Sequence, residues 1–183
     1  AVVLASDAWL HGVIGIVASK LVDAFHRPAI VLSVEDGIAH GSCRSIPHFD
    51  LLAALERCAS FFIRFGGHKQ AAGLTMDAAR VREFRSAIND VADEVLGPDD
   101  LMPRLRVDGD LGFRGITADV AAGVAALAPF GAGNPRPVFA SRRVEIVDGP
   151  RKLKDRHLKM ALRQDGRVFR AIAWRAAERH DHY

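Results

Sequence analysis

Apolar residues in the first half of the chain follow two periods, one typical of strands and one typical of helices. Short apolar runs, bounded by turn-forming residues such as Asp36 and Gly37, predict strands at residues 2–6, 29–34, 38–43 and 73–76. Apolar positions three or four residues apart predict helices at residues 13–25, 51–58 and 81–95. Asp50 is suited to cap the second helix, while Pro28 and Gly97 are suited to end the first and third.

The periodicity breaks at Gly97, Pro98 and the two acids that follow, which predicts a linker over about residues 97–103. Beyond it, the pattern predicts strands at residues 105–111, 138–147, 157–163 and 168–174, a short helix at residues 120–127, and turns at residues 148–150 and 164–166. We therefore predict an α/β domain at residues 1–97, with a mixed sheet and flanking helices. A small, mostly β barrel of the oligonucleotide-binding (OB) type is predicted at residues 104–183.

The composition is that of a folded chain with a sizeable core, since 49% of its 183 residues are apolar. No window approaches the roughly 18 continuous apolar residues of a membrane-spanning helix, and the chain opens on a strand-like run rather than a targeting segment. Its two cysteines, Cys43 and Cys58, fit neither a disulfide framework nor a metal-binding spacing. We expect reduced thiols, a cytoplasmic location and no membrane partner.

The net charge of +3 conceals an uneven distribution. Residues 1–97 carry 9 Lys and Arg against 11 Asp and Glu, whereas residues 98–183 carry 16 against 11. Within the second half, residues 136–179 hold 13 basic and 5 acidic side chains. Such an excess indicates a surface for a polyanion, with a solvated basic face that has no partner as the alternative.

Residues 65–75 contain two adjacent glycines, Gly66 and Gly67, followed by His68. Glycines let a backbone approach a ligand closely, so we predict a polar loop that offers N–H groups and an imidazole to a phosphate or nucleotide. A tight turn with a surface histidine is the alternative.

Ser42 and Arg44 are two residues apart on a predicted strand and therefore point to the same side. A guanidinium matches the oxygens of a phosphate and the serine adds a hydroxyl donor, so we predict that the pair holds a terminal phosphate. An arginine at a sheet edge, paired with a nearby acid, is the alternative. His11, which with Trp9 and Gly12 precedes the first helix, is a further phosphate-binding candidate, whereas Trp9 is equally suited to the core.

Four segments in one order resemble the C-terminal part of the RecJ family, the single-strand-specific 5′ exonucleases of the DHH phosphoesterase superfamily. They are residues 8–21, 41–51, 65–75 and 129–139. The resemblance implies that Ser42 and Arg44 help to bind the 5′ end of a strand, and that the manganese or magnesium ligands lie on a separate N-terminal DHH domain. The chain departs from the family pattern at Leu10, Cys43 and His48, where His, Gly and Gly are usual.

Hydrolysis by a metal-dependent enzyme needs several carboxylates and histidines around its cations. The chain has no Asp-His-His run, and we interpret Asp108-Gly109-Asp110 as a turn or edge element rather than a metal site. We therefore predict no catalytic residue, no metal ligand and no exonuclease turnover by these residues alone.

The basic side chains of the second half are predicted to follow the backbone of single-stranded DNA. The candidates are Arg142, Arg143, Arg151, Lys152, Lys154, Arg156 and Lys159. Phe139, Phe169 and Trp174 are candidate stacking residues, although core positions are expected for them in a chain with 7% aromatic residues.

Together with the basic surface, the resemblance implies single-stranded DNA binding and 5′-end positioning, as part of a RecJ-like 5′-to-3′ exonuclease. A DHH catalytic domain or subunit and DNA-repair proteins are the other expected partners. The alternative is the substrate-binding part of a DHH-family phosphodiesterase for dinucleotides or short oligonucleotides, although a dinucleotide needs no extended basic surface. A module that docks a repair protein is a third hypothesis.

Overall fold

The computed structural model describes residues 1–182. The chain divides into two compact units, of which the first is Ala1–Arg104 and the second begins at Leu105. Each unit has its own sheet and its own core.

The first unit is a five-stranded sheet with helices on both faces. Its strands are β1 (Val2–Ser6), β2 (Ala29–Glu35), β3 (Ile38–Arg44), β4 (Phe62–His68) and β5 (Ala71–Asp77). They lie in the order β1-β2-β3-β5-β4, with β1 and β2 parallel and the other neighbours antiparallel. Its helices are α1 (Ile14–Phe25), α2 (Leu51–Arg57) and α3 (Val81–Val95). The predicted mixed sheet with flanking helices is confirmed.

The predicted helix ends are close to those observed. His26 adopts a left-handed conformation and its N–H bonds to the Val22 carbonyl at 2.9 Å, which ends α1 before Pro28. The Asp50 side chain accepts a hydrogen bond from the Ala53 N–H at 3.1 Å and caps α2 as predicted.

Alternate residues of the central strands enter two different cores. On one face, Ile30 and Leu32 join the larger core, which α2 and α3 cover. On the other face, Ala29 and Val31 pack against α1 in a smaller cluster. Helix α1 packs on β2 and β3, and no helix of the first unit is packed on the β5 and β4 part of that face.

The loop predicted at Gly66, Gly67 and His68 is wrong, because these residues lie in β4, whereas the strand predicted at residues 73–76 is present within β5. Only two residues, Lys69 and Gln70, form the turn between β4 and β5. Strand β4 is at the edge of the sheet, where glycines weaken pairing least, and its aromatic residues anchor it to the core.

The second unit contains strands β6 (Gly109–Asp110), β7 (Phe139–Ala140), β8 (Glu145–Leu153), β9 (His157–Gln164) and β10 (Arg167–Ala173), and helix α4 (Ala118–Ala126). Strands β8, β9 and β10 form an antiparallel sheet with β9 in the centre, and β6 pairs with β7. The apolar core of this unit contains Leu158 and Met160 of β9. The predicted β-rich region is therefore present.

Three predicted boundaries in this unit are wrong. Of the strand predicted at residues 105–111, only Gly109–Asp110 forms a strand, β6. The strand predicted at residues 138–147 is split, since Arg143 has a positive φ of 54° between β7 and β8. The turn predicted at residues 148–150 lies inside β8, at a pair of register shifts in the ladder. Strand β8 is at a sheet edge, where a proline that cannot donate a hydrogen bond is tolerated at a bulge.

Gly67→Ala should destabilise the first unit. Gly67 has a φ of +149°, and a Cβ there would lie 2.5 Å from the Ala71 carbonyl oxygen. We expect a loss of roughly 2 kcal/mol or more in the free energy of unfolding, measured by native-state hydrogen exchange of the β5 amides. Gly66→Ala is the matched control, because its Cβ would meet nothing within 4 Å. Equal hydrogen-exchange protection of the β5 amides in the two variants would contradict the requirement for glycine at position 67.

Candidate nucleic-acid interface

Strand β3 turns its polar residues to the α1 side of the sheet and its small apolar residues to the larger core. The residues on the α1 side are His40, Ser42 and Arg44. Ala39 and Cys43, which point to the opposite side of the strand, are fully buried. The predicted shared orientation of Ser42 and Arg44 follows from this alternation.

Pairing with β5 and β4 extends this polar face into three rows across the sheet. The rows are His40 with Thr75 and Arg64, Ser42 with Gly73 and Gly66, and Arg44 with Ala71 and His68. The structure thus brings together four of the predicted site residues, Ser42, Arg44, Gly66 and His68, although β3 and β4 are well separated in the sequence.

Arg44 is held in place by its own strand. Its Nη1 donates to the Ser42 hydroxyl at 3.2 Å and to the Cys43 carbonyl at 2.8 Å. The first turn of α1 lies against the pair, because a Cβ on Gly15 would be 3.1 Å from Ser42 Oγ and 3.3 Å from Arg44 Nη2. Arg44 makes no ion pair with a carboxylate in the described part of the chain, so its charge is available to an anion.

In the middle row, the positions on β5 and β4 are glycines and form a floor without side chains. Gly66 and Gly73 are exposed, and a Cβ would meet nothing within 4 Å at Gly66 and only the Gly41 carbonyl oxygen, at 3.6 Å, at Gly73. A ligand can therefore approach the backbone closely here. Gly67 differs, because a Cβ there would clash with the backbone of β5. Glycine at this position is therefore required by the backbone geometry of the strand pair.

His11 lies in a short 3₁₀ segment before α1, and its ring meets that of His40 edge-on, with centroids 5.3 Å apart. Trp9 packs against the small cluster under α1, and its carbonyl accepts a hydrogen bond from Ser33 at 2.6 Å. The structure therefore favours a packing role for Trp9 and leaves His11 on the polar face.

Three residues of this face, His40, Arg64 and Thr75, were not predicted from the sequence. The period-two pattern of β3 was a signal for His40, since it precedes Ser42 by two residues. Arg64 had no such signal, because its position depends on the pairing of β4 with β5.

The three departures from the family pattern have different surroundings. The Cys43 side chain is fully buried in the larger core, and burial raises the pKa of its thiol to about 12. His48 is an exposed loop residue whose Nδ1 lies 3.7 Å from an Asp100 carboxylate oxygen. Leu10 is 74% exposed before α1.

One face of the second unit's sheet collects basic residues, which we call the basic sheet face. It consists of Arg151, Lys159, Arg163 and Arg170, and the ladder places Arg151 opposite Lys159 and Arg170 opposite Ala161. Leu158 and Met160 point to the other side, into the core.

Ion pairs neutralise part of the positive charge of the basic sheet face. Arg163 binds Glu145 at 2.8 Å and Arg151 binds Asp148 at 2.6 Å. Among the described residues, Lys159 and Arg170 make no ion pair.

The other predicted backbone-binding residues are spread around this sheet. Arg142 pairs with Asp110 at 3.0 Å in the β7–β8 connection, which also holds Arg143. Lys154 and Arg156 lie in the β8–β9 turn, and Lys152 is on β8. Arg170 was not predicted, although it lies between Phe169 and Ala171 on β10 and points to the face opposite theirs.

Trp174 lies at the end of the basic sheet face and does not take the expected core position. It is 71% exposed, and its ring meets that of His157 edge-on with centroids 4.7 Å apart. The His157 Nδ1 accepts a hydrogen bond from the Arg175 N–H at 2.9 Å, which orients the imidazole. Phe169 instead packs edge-on against Phe113 at 5.1 Å.

Among the side chains that the structure describes, no three His, Cys, Asp or Glu are grouped so that they could hold a metal ion. Asp110 is paired with Arg142, and the Asp108 carboxylate accepts a hydrogen bond from the Val138 N–H at 2.9 Å. The described residues therefore do not fit a catalytic manganese or magnesium centre. In the same residues, none of the helices has the length and apolar character needed to cross a membrane.

Comparisons with known proteins match both units. Residues 1–94 match the family model of the DHHA1 domain, and residues 107–183 match that of the RecJ OB domain. The chain is 40% identical over 182 residues to the single-stranded-DNA-specific exonuclease RecJ of Bacillus subtilis (strain 168), a match that covers 97% of this chain and 23% of that protein.

Solved structures agree with the sequence matches. The crystal structure of RecJ in complex with Mg²⁺ from Thermus thermophilus is similar with a TM-score of 0.79 and 32% identity, over 94% of this chain and 26% of that chain. The Mn²⁺ complex of the same protein gives a TM-score of 0.78 and 32% identity over 94% and 25%. The chain thus spans about a quarter of the length of these relatives.

Both thiols should be inert in the folded chain. Burial raises the pKa of Cys43 to about 12 and also raises that of Cys58, so little thiolate forms at pH 8. We expect no reaction of the native chain with Ellman's reagent between pH 7 and 9, and release of two equivalents after denaturation. Rapid titration of one thiol in the native chain would contradict the core position of Cys43.

Proposed function

The chain belongs to the RecJ family, as its DHHA1 and RecJ OB domains establish, and from that membership we propose that it binds single-stranded DNA and positions the 5′ end. In this proposal, residues 1–97 hold the end of the strand and residues 104–183 hold its backbone. The chain supplies substrate binding to a 5′-to-3′ exonuclease of which it is the C-terminal part.

The observation that carries the proposal is the position of Arg44. Its guanidinium is oriented by the Ser42 hydroxyl and the Cys43 carbonyl, has no carboxylate partner in residues 1–180, and borders exposed glycines. A guanidinium donates to two phosphate oxygens at once, and a floor without side chains lets the sugar-phosphate backbone come close. We propose that Arg44 and Ser42 bind the terminal phosphate, with Gly66, His68 and His11 nearby on the same side of the sheet.

The basic sheet face supports the second part of the proposal. Lys159 and Arg170 have no ion pair among the described residues, and the exposed Trp174 lies at the end of the same face. Cations that follow a backbone, combined with an aromatic ring on which a base stacks, bind single strands without sequence preference. The proposed ligand is therefore a strand several nucleotides long.

We place the hydrolytic chemistry outside these residues. The relatives of known structure bind Mg²⁺ or Mn²⁺, and we propose that the corresponding metal belongs to a DHH domain or subunit that works with this chain. The chain by itself then has no turnover. We also propose a cytoplasmic location and a place in DNA repair beside other repair proteins.

A phosphodiesterase for dinucleotides is the competing function, because the polar face of the first unit alone would hold a short ligand. The basic sheet face favours the longer strand, since a dinucleotide needs no such surface. A dinucleotide that binds as tightly as a 20-mer would favour the competing function. Docking of a repair protein by the second unit would instead show as complex formation that survives replacement of Lys159 and Arg170.

Binding of a single-stranded 20-mer should weaken as salt rises, with log K linear in log salt concentration. Lys159→Gln with Arg170→Gln should reduce the slope by roughly 0.7 for each phosphate that is no longer neutralised. Trp174→Ala should lower affinity by about 1 kcal/mol or more at an unchanged slope, because stacking releases no counterions. Fluorescence anisotropy measures both quantities.

The matched control is the double variant Glu145→Gln with Arg163→Gln, which removes an ion pair from the same face without changing net charge. Its slope should stay near that of the original chain. Salt-independent affinity, or no retention of the 20-mer in dilute buffer, would contradict the proposal.

Arg44→Gln should remove the preference for a 5′-phosphate. Hydrogen bonds from a charged donor contribute about 1.5–3 kcal/mol, so we expect at least tenfold weaker binding of a 5′-phosphorylated oligonucleotide and little change for its 5′-hydroxyl counterpart. Arg82→Gln, at an exposed position of α3, is the control. An Arg44→Gln variant that keeps the preference would place the terminal phosphate elsewhere.

A further inference from the structure

A cavity of about 350 Å³ opens on the polar face of the first unit, at the opposite end from Arg44. It is lined by His11, His40, Arg64 and Thr75, together with backbone of the glycine floor. No Asp or Glu is among its lining residues. One arginine and two imidazoles without a carboxylate form a site for an anion.

Arg64 is oriented although it is exposed. Its Nε donates to the hydroxyl of the buried Thr75 at 3.2 Å. This bond uses the Nε and leaves the Nη1 and Nη2 edge free, which is the edge that binds two oxygens of a phosphate. In residues 1–180, Arg64 makes no ion pair with a carboxylate.

His40 borders the same space from β3. It lies in the row of Thr75 and Arg64, and the edge-on contact with His11 positions its ring. An imidazole N–H from either histidine adds a donor to the guanidinium. The cavity thus offers donors from three separate elements.

The spacing relates this cavity to the end-binding site. Along β5, Thr75 and Ala71 mark the rows of Arg64 and Arg44, and a separation of four residues corresponds to about 13 Å. Between the two rows lies the row of Ser42, Gly73 and Gly66, in which the two glycines on β5 and β4 have no side chain to obstruct a strand. Both cationic rows therefore face one continuous floor.

We infer that this cavity is a second phosphate subsite, which binds an internal phosphodiester of the strand whose 5′ end Arg44 holds. The inference rests on the proposed function and adds to it the roles of three residues. Arg64 and His40 contact the phosphodiester, and Thr75 is a positioning residue that orients Arg64.

Arg64→Gln and His40→Gln test the subsite by anisotropy with 5′-phosphorylated and 5′-hydroxyl oligonucleotides. We expect each variant to bind both oligonucleotides more weakly, by roughly tenfold for Arg64→Gln, because an internal phosphodiester is present in both. Arg44→Gln should weaken only the phosphorylated one. Arg82→Gln is the matched control for the loss of an exposed arginine.

Thr75→Val and Thr75→Ser test the positioning role. Valine has the shape of threonine without the hydroxyl, so Thr75→Val should lower affinity for both oligonucleotides, whereas Thr75→Ser should restore it. Equal melting temperatures of the two variants would show that the effect is not a loss of folding. If both variants bind weakly, or if both bind as tightly as the original chain, the positioning role of Thr75 is overturned.

Failure of the subsite and failure of the proposed function give different results. If the original chain prefers the phosphorylated oligonucleotide and Arg64→Gln binds as tightly as the original, the function stands and the subsite is overturned. If the original chain binds neither oligonucleotide, inorganic phosphate is titrated while the His11 and His40 imidazole signals are followed by NMR. Shifts that disappear in Arg64→Gln would then support the subsite, and unchanged signals would overturn it.

Discussion

The register of β3 between β2 and β5 is the constraint on which the polar face of the first unit depends. Successive side chains of a strand point to opposite faces, so burial of Ala39 and Cys43 in the core directs Ser42 and Arg44 to the other side. A shift by one residue would put the guanidinium into the apolar core and expose the thiol. Burial of the apolar residues of β3 therefore also orients the two side chains that are proposed to bind the phosphate.

Incomplete coverage by α1 then makes this face accessible. The helix packs on β2 and β3, where Gly15 allows its first turn to reach Ser42 and Arg44 closely. Over β5 and β4 the helices of the first unit leave the sheet uncovered, and Gly66 and Gly73 add no side chains to that surface. Neighbouring glycines thus have different roles, since Gly67 is required by backbone geometry while Gly66 leaves room for a ligand.

In the second unit, the distribution of ion pairs matters more than the sum of charges. Exposed pairs such as Arg163 with Glu145 stabilise a protein by at most about 1 kcal/mol, but they neutralise part of the basic excess. Among the described residues of the basic sheet face, Lys159 and Arg170 remain without an ion pair, and Trp174 lies at the end of the same face. The combination of free cations and an exposed ring suits a polyanion that carries aromatic bases.

The sequence alone determined the features that depend on local order. The end of α1 before Pro28, the cap at Asp50 and the shared side of Ser42 and Arg44 follow from short-range geometry, and the ordered motifs identified the family. The sequence did not determine that the glycine segment is an edge strand, that β8 continues through Pro150, or that Trp174 is exposed. Those features depend on which strands pair and on which faces of the sheets are covered by other elements. Strand pairing also places Arg64 in the same row as His40, across β5. Pairing and coverage are set by contacts between distant residues, so only the tertiary structure decided them.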